Sequence, residues 1–115
     1  MSQNVVVLVT CDSAKQAKTI AEAVVRERLA ACVNVLESSV RSVYRWKGRV
    51  ETAKEHLLLI KTSRRRFGAL EKEILRLHSY KLPEIIALPI VQGSKSYLEW
   101  LERSLAKAEA GRRRK

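Results

Sequence analysis

The sequence lacks the features that mark membrane proteins, disulfide scaffolds and several common enzyme classes. Its longest apolar run, residues 85–91, is interrupted by Pro89 and is far shorter than the roughly 18 residues of a membrane helix. Its two cysteines, Cys11 and Cys32, form no CxxC pair and are predicted to be free thiols in a reducing compartment. No P-loop, G-x-S-x-G or H-E-x-x-H motif is present. We therefore expect a cytoplasmic, non-enzymatic protein without membrane contact.

Positive charge is abundant, with 23 Lys and Arg against 12 Asp and Glu and a net charge of +11. Much of the excess lies in two short clusters, residues 64–66 and 112–115. We interpret residues 111–115 as a basic flexible tail. A sheet that binds RNA needs stacking aromatic side chains on its central strands, and the predicted strands at 5–9 and 54–62 have none. We therefore expect no nucleic-acid partner, despite the charge.

Apolar periodicity predicts an α+β domain over residues 1–110. The strand patterns cover residues 4–10, 31–36, 40–46, 49–62 and 84–91, where 31–36 and 40–46 form one strand interrupted by a bend. Lys47–Gly48 is a predicted hairpin turn. Ser13 and Ser63 are predicted to cap the first two helices, and a third helix is predicted to start at Gly93–Ser94 and to end at Ala110–Gly111. This order is the ferredoxin-like split βαβ arrangement with an added C-terminal helix.

The predicted sheet is apolar on both faces, because several strands carry apolar residues at odd and even positions alike. Residues 5–9, 57–60 and 85–91 show this pattern most clearly. Two helices cover only one face of such a sheet, and one short extra helix cannot cover the other. Association with further copies of the same chain is the simplest way to bury the second face.

Topology predicts that several potential metal ligands gather at one edge of the sheet. Cys11 ends the first strand, His78 ends the second helix and Glu84 opens the last strand, with Asp12 beside them. A thiolate and an imidazole together suit copper or zinc, although zinc requires four ligands or three and a water. The alternative is a histidine stabilised at a helix end and a thiol that fills space.

Two further groups of residues suggest contacts with a partner or a ligand. Trp46 beside the hairpin turn, its neighbour Tyr44, and Trp100 on the last helix are predicted interface or core residues. Arg41 and Arg45 share one strand face, where they either bind an anion in a cleft or remain solvated.

Several linked segments resemble the CutA family of divalent-cation tolerance proteins. They are residues 28–34 (RLAACVN), 44–48 (YRWKG), 59–62 (LIKT), 82–89 (LPEIIALP) and 97–101 (YLEWL), in an order that spans Val5 to Leu105. His78 falls in a segment similar to the family's LHPYxxPE. Ser79 replaces the usual proline there, and Asp12 stands where many members have another proline. Cys11 is not a usual family residue, so that its metal role is inferred from topology alone.

The resemblance implies a ferredoxin-like subunit in a tight homotrimer, similar to the nitrogen-signalling PII proteins. It also implies a link to copper and other divalent metal ions. The main hypothesis is a non-enzymatic, trimeric metal-binding protein of divalent-cation tolerance, with His78, Cys11 and Glu84 as ligands. The alternative is a PII-like signalling module that binds a small anionic ligand or a partner protein in intersubunit clefts. Arg41, Arg45 and Lys61 are the residues expected to line such a cleft.

Overall fold

The computed structural model describes residues 3–106, in which five β-strands and three α-helices follow the predicted order. The strands are β1 (Asn4–Cys11), β2 (Cys32–Val35), β3 (Val40–Trp46), β4 (Arg49–Ser63) and β5 (Ile85–Pro89). The helices are α1 (Ala14–Arg26), α2 (Phe67–Leu77) and α3 (Lys95–Leu105). The predicted helix end at Ala110–Gly111 and the basic tail lie outside the described residues. None of the helices within residues 3–106 is long and apolar enough to cross a membrane.

The central sheet is antiparallel and has the strand order β2-β4-β1-β5. With β2 and β3 counted as one interrupted strand, this order is that of the ferredoxin-like fold, which confirms the predicted fold class. The second half of β4 pairs with β1 and β2, whereas its first half pairs only with β3. The β3–β4 hairpin therefore extends beyond the central sheet.

The turn of this hairpin is Lys47–Gly48, as predicted. Both residues have positive φ, 51° at Lys47 and 79° at Gly48. Two consecutive residues in the left-handed region form the turn type whose twist matches that of antiparallel strands. Glycine adopts this conformation without penalty, but lysine does not, so the turn is strained at its first position.

One face of the central sheet is covered by α1 and α2. Each helix buries one stripe, with Ala17, Ile20 and Val24 from α1 and Leu70 and Ile74 from α2. These side chains pack on alternate residues of the central strands: Val5, Val7, Val9, Cys11, Leu58 and Ile60. Most of this layer is completely buried, so it supplies the hydrophobic core of the single chain.

The other face, which we call the open face, carries Val6, Leu8, Leu57, Leu59, Ile86 and Leu88. Ile86 is 48% exposed and Leu88 is 50% exposed. α3 packs around Ala31, just before β2, through Leu98, Leu101 and Leu105. The remaining open-face residues, Val6, Leu8, Leu57 and Leu59, are half-buried. The two-sided apolar pattern of the sequence thus corresponds to a real surface of the subunit.

The prediction that Ser63 caps the second helix is wrong. Ser63 is buried at the end of β4, and its Oγ has no hydrogen-bond partner within residues 3–106. A short 3₁₀ turn, Arg64–Arg66, separates it from α2. The predicted cap at Ser13 is confirmed, because Ser13 accepts a hydrogen bond from Gln16 N. The third helix starts after Ser94, which accepts a hydrogen bond from Tyr97 N.

Candidate functional site

A groove of about 740 Å³ lies between the β3–β4 hairpin and the segment that joins α2 to β5. We call it the hairpin groove. Its hairpin wall consists of Ser42, Val43, Tyr44, Trp46 and Glu55, and its other wall consists of Thr10, Tyr80, Lys81, Leu82 and Glu84. Its volume is in the range of small-molecule sites. Because side chains alternate along a strand, Ser42, Tyr44 and Trp46 project from the same face of β3.

Glu55 is the most unusual residue of the groove, because it is a carboxylate that is only 8% exposed. Its Oε2 accepts a hydrogen bond of 2.8 Å from the Tyr80 hydroxyl. No salt bridge to Glu55 forms within the part of the chain that the structure describes. A buried carboxylate without a cation is costly, and a single hydrogen bond compensates only part of its lost hydration.

Tyr80 is held in place by this bond and by His78. Burial, followed by the hydrogen bond and the charge of Glu55, raises the pKa of Tyr80, so its hydroxyl remains a donor at ordinary pH. The ring centroids of His78 and Tyr80 are 4.8 Å apart. Tyr80 N donates to His78 Nδ1 at 3.1 Å, which leaves Nε2 as the donor to the Thr10 carbonyl at 2.8 Å. His78 thus fixes the wall of the groove.

The structure does not bring the predicted metal ligands together within one chain. Both ring nitrogens of His78 are engaged by the backbone, and Cys11 is completely buried on the helix-covered face. Burial, followed by the charges of Asp12 and Glu55, raises the pKa of the Cys11 thiol from 9.0 to about 12 and disfavours the thiolate that binds metals. Glu84, unlike Cys11, lines the hairpin groove, on the wall that contains Tyr80.

The same conclusion holds for the whole range that the structure describes. Between residues 3 and 106, no three His, Cys, Asp or Glu side chains form a group that could hold a metal ion. The end of β1 and the end of α2 do meet, since Ser79 Oγ, one residue from His78, donates to Asp12 Oδ2 at 3.3 Å. Cys11, by contrast, is buried among the core residues of the helix-covered face, away from the groove. A metal site shared between subunits stays a prediction.

The predicted anion cleft is not formed by one chain either. Arg41 and Arg45 are exposed on β3 and alternate with Ser42, Tyr44 and Trp46, so that they project from the opposite strand face. Lys61 lies in the central sheet, far from Arg41. Arg41 pairs with Lys54, and Lys61 is seven residues further along β4, a distance of ~23 Å. Lys61 donates to Asn34 Oδ1. A cleft that combines these residues from several subunits stays a prediction.

The three predicted interface residues lie in two places. Tyr44 and Trp46 line the hairpin groove and are 44% and 47% exposed. Trp100 lies on α3, where its ring centroid is 5.4 Å from that of Tyr97. Exposed aromatic side chains of this size are typical of interfaces and of ligand sites, and the prediction that they contact a partner stays open.

Sequence reasoning missed Glu55 and Tyr80. They are 25 residues apart in the chain and meet only because the loop after α2 returns to the hairpin. One signal was available in the register of the hairpin. Glu55 pairs with Val40, and Val40 projects from the same face of β3 as Tyr44 and Trp46. Glu55 therefore shares this face. Nothing in the sequence indicated that Tyr80 would reach this carboxylate.

A second cavity of about 750 Å³ lies beside α3 and the start of β1. It is lined by charges of both signs, and one pair is already satisfied, because Arg65 and Glu102 form a salt bridge of 3.2 Å. The hairpin groove combines aromatic walls with an unpaired buried carboxylate and is therefore the stronger candidate site.

These features define a ferredoxin-like α+β protein that combines an open apolar sheet face with a half-open groove. Residues 5–104 match the family described as CutA1 divalent ion tolerance protein. The chain belongs to this family, which confirms the resemblance of its sequence segments.

Individual relatives agree with this assignment. The divalent-cation tolerance protein CutA of Thermus thermophilus is 50% identical over 96 residues, which cover 84% of this chain and 92% of that protein. The chloroplastic protein CutA of Arabidopsis thaliana is 44% identical over 101 residues, or 88% of this chain and 55% of that protein. The chain thus spans about half the length of this plant relative.

Among solved structures, the periplasmic divalent cation tolerance protein CutA of Archaeoglobus fulgidus superimposes with a TM-score of 0.86. It is 32% identical, and the match covers 90% of this chain and 99% of that chain. Because these relatives are described as chloroplastic and periplasmic, the cytoplasmic location of this chain stays a prediction.

Proposed function

We propose that this chain functions as a non-enzymatic homotrimer in tolerance of, or response to, divalent cations, with copper as the first candidate. The observation that carries this proposal is the match of residues 5–104 to the divalent ion tolerance family. It is supported by relatives of the same description at up to 50% identity.

The open face supports the oligomeric part of the proposal. It presents aliphatic side chains from three adjacent strands, and Ile86 and Leu88 are each about half exposed. A soluble subunit gains free energy by burying such a surface at about 25 cal/mol per Å². A second copy offers the same apolar surface, and closed symmetric association is the commonest way to pair identical faces.

A metal site in this trimer would have to draw ligands from more than one subunit. Of the three predicted ligands, Glu84 is the exposed one, and it lines the hairpin groove. His78 and Cys11 would first have to break their present contacts. We therefore propose Glu84 as the contribution of this chain to an intersubunit site.

The test is a calorimetric titration of the purified, reduced protein with copper and with zinc. Light scattering in the same buffer should give three times the chain mass of 13.1 kDa. The proposal expects saturable binding that is weakened by Glu84→Gln and changed little by Cys11→Ser. Glu22→Gln, which removes an exposed carboxylate on α1, is the matched control. No binding of either metal to the intact oligomer would refute the metal part of the proposal.

A second candidate is a PII-like module that binds a small ligand. It is favoured by the hairpin groove, whose volume and aromatic walls suit a small molecule better than a bare ion.

A further inference from the structure

We propose that the hairpin groove binds a small organic ammonium ion, with Tyr44, Trp46 and Tyr80 around the cation and Glu55 and Glu84 as its counter-charges. This inference rests on the second candidate function, in which the groove is a ligand site. It goes beyond divalent-cation tolerance, because it names a ligand class that the family description does not include.

The first argument is the aromatic composition of the groove. The chain has only six Phe, Trp and Tyr residues, and three of them line this one groove. The faces of Trp and Tyr rings carry negative electrostatic potential and attract cations, most of all cations with little hydration such as alkylammonium groups. Three such rings at one site, two on the hairpin and one on the opposite wall, are a composition suited to this ligand.

The second argument is the unpaired buried carboxylate. Glu55 is 8% exposed, and it accepts a hydrogen bond from the Tyr80 hydroxyl but forms no salt bridge within residues 3–106. Glu84 adds a second negative charge at the rim. A bound cation would compensate the cost of burying Glu55. The two carboxylates also stand out in a chain whose net charge is +11.

The third argument separates an organic cation from a metal ion. A divalent ion requires several oxygen, nitrogen or sulfur ligands arranged at about 2.0–2.6 Å. In the range that the structure describes, no three acidic, histidine or cysteine side chains form such a group. The groove instead offers about 740 Å³ of space with aromatic walls, which is too large for an ion and fits a small molecule.

Lys81 is the one groove residue that opposes a cation. It is exposed, whereas Glu55 is buried on the other wall. The ammonium group of Lys81 can extend into solvent on its flexible stem, so that it weakens binding without blocking the groove. This gives the proposal a variant with the opposite sign, since Lys81→Ala should strengthen binding.

The experiment uses one tryptophan as the reporter. The chain has two, Trp46 and Trp100, so Trp100→Phe leaves Trp46 as the only tryptophan, inside the groove. The intact oligomer of this variant is titrated with choline, and separately with its neutral carbon isostere 3,3-dimethylbutanol, at constant ionic strength. We expect a saturable change in Trp46 fluorescence with choline, at least about tenfold tighter than with the isostere.

Three further variants in the same background test the counter-charges. Glu55→Gln keeps the shape of the side chain and its contact with Tyr80 and should weaken choline binding about tenfold. Glu22→Gln removes an equal charge on the outer surface of α1 and should leave binding unchanged. Lys81→Ala should tighten it. Circular dichroism and light scattering of each variant verify that fold and assembly are intact.

The outcomes distinguish the ligand class from the function of the groove. Equal affinity for choline and the isostere, or binding that Glu55→Gln does not weaken, would overturn the ammonium assignment but leave the groove as a small-ligand site. Saturation of the Trp46 signal by copper and not by choline would overturn it in favour of the divalent-cation function. If no probe binds, because a neighbouring subunit fills the groove, both the assignment and the small-ligand function fail.

Discussion

The two faces of one sheet differ in a way that separates folding from function. On the helix-covered face, Val7, Val9, Leu58 and Ile60 are completely buried. On the open face, aliphatic residues of the same sheet remain accessible, and Ile86 and Leu88 of β5 are 48% and 50% exposed. The covered face is completed by the chain's own α1 and α2, so it stabilises the subunit without help.

The open face and the adjoining hairpin remain incomplete in a single chain. Apolar side chains, aromatic rings and an unpaired buried carboxylate all lie on this side, where they are poorly satisfied by residues 3–106. Unsatisfied groups of this kind mark the surface on which partners and ligands act. Substitutions on the open face should therefore affect assembly, whereas substitutions on the covered face should affect the stability of the subunit.

The largest expected effect is the loss of the proposed homotrimer after Ile86→Asp combined with Leu88→Asp. Carboxylates buried in an apolar interface without partners cost several kcal/mol each, so the double variant should elute with a single-chain mass of 13.1 kDa. Size-exclusion chromatography with light scattering measures this directly. Leu75→Asp is the matched control, since Leu75 is a similarly exposed leucine, at 47%, on α2. If the control dissociates and the double variant does not, the open face is not the interface.

On the covered face, Cys11 should be almost unreactive. Its thiol pKa of about 12, against 9.0 in the unfolded chain, lowers the thiolate fraction at pH 8 by about a thousandfold. In a Cys32→Ser variant, reaction with a disulfide reagent should be slower than in denaturant by about that factor. The folded state retains the proton longer, so the contribution of Cys11 to stability is complete below pH 9 and declines as pH rises toward 12. Rapid reaction in the native protein would contradict this burial.

Leu58→Ala should damage the subunit itself. Truncation of a completely buried leucine leaves a cavity and costs about 2–5 kcal/mol. Leu82→Ala, at a leucine that is 74% exposed, should cost less than about 0.5 kcal/mol. Guanidinium unfolding at one fixed protein concentration compares the two, because the stability of the proposed homotrimer would depend on concentration. Similar losses for both variants would mean that the two regions are not energetically distinct.

The sequence was sufficient for the fold because the relevant signals are local. The β-branched run of β1, the Ser13 cap and the Lys47–Gly48 turn each specify their own element, and the order of elements leaves few topologies. The apolar residues at both odd and even positions also predicted a second apolar face. They did not predict which of these residues project from the open face and which from the covered face.

The site was not predictable in the same way, because it depends on register and on distant contacts. A shift of one residue decides whether Cys11 or Thr10 faces the groove, and both faces of β1 are apolar, so the pattern cannot choose. Glu55 and Tyr80 meet through a loop whose path has no local signature. Ser63 had the residue type of a cap, but β4 continues through it and buries its hydroxyl.

The smallest expected effect concerns the turn that connects the two strands of the hairpin, β3 and β4. A Cβ at Gly48 would meet no atom within 4 Å, so Gly48→Ala tests only the cost of its φ of 79°. That cost should be about 1 kcal/mol, and Gly48→Asn should recover part of it, because asparagine tolerates the left-handed region. Lys47→Asn should stabilise the hairpin slightly for the same reason. Thermal unfolding of the three variants measures these differences. The turn sets the register that aligns Tyr44 and Trp46 along one wall of the hairpin groove. The three variants should therefore show the same ranking in their affinity for choline. An unchanged affinity would mean that the pairing of β3 with β4 alone holds the register.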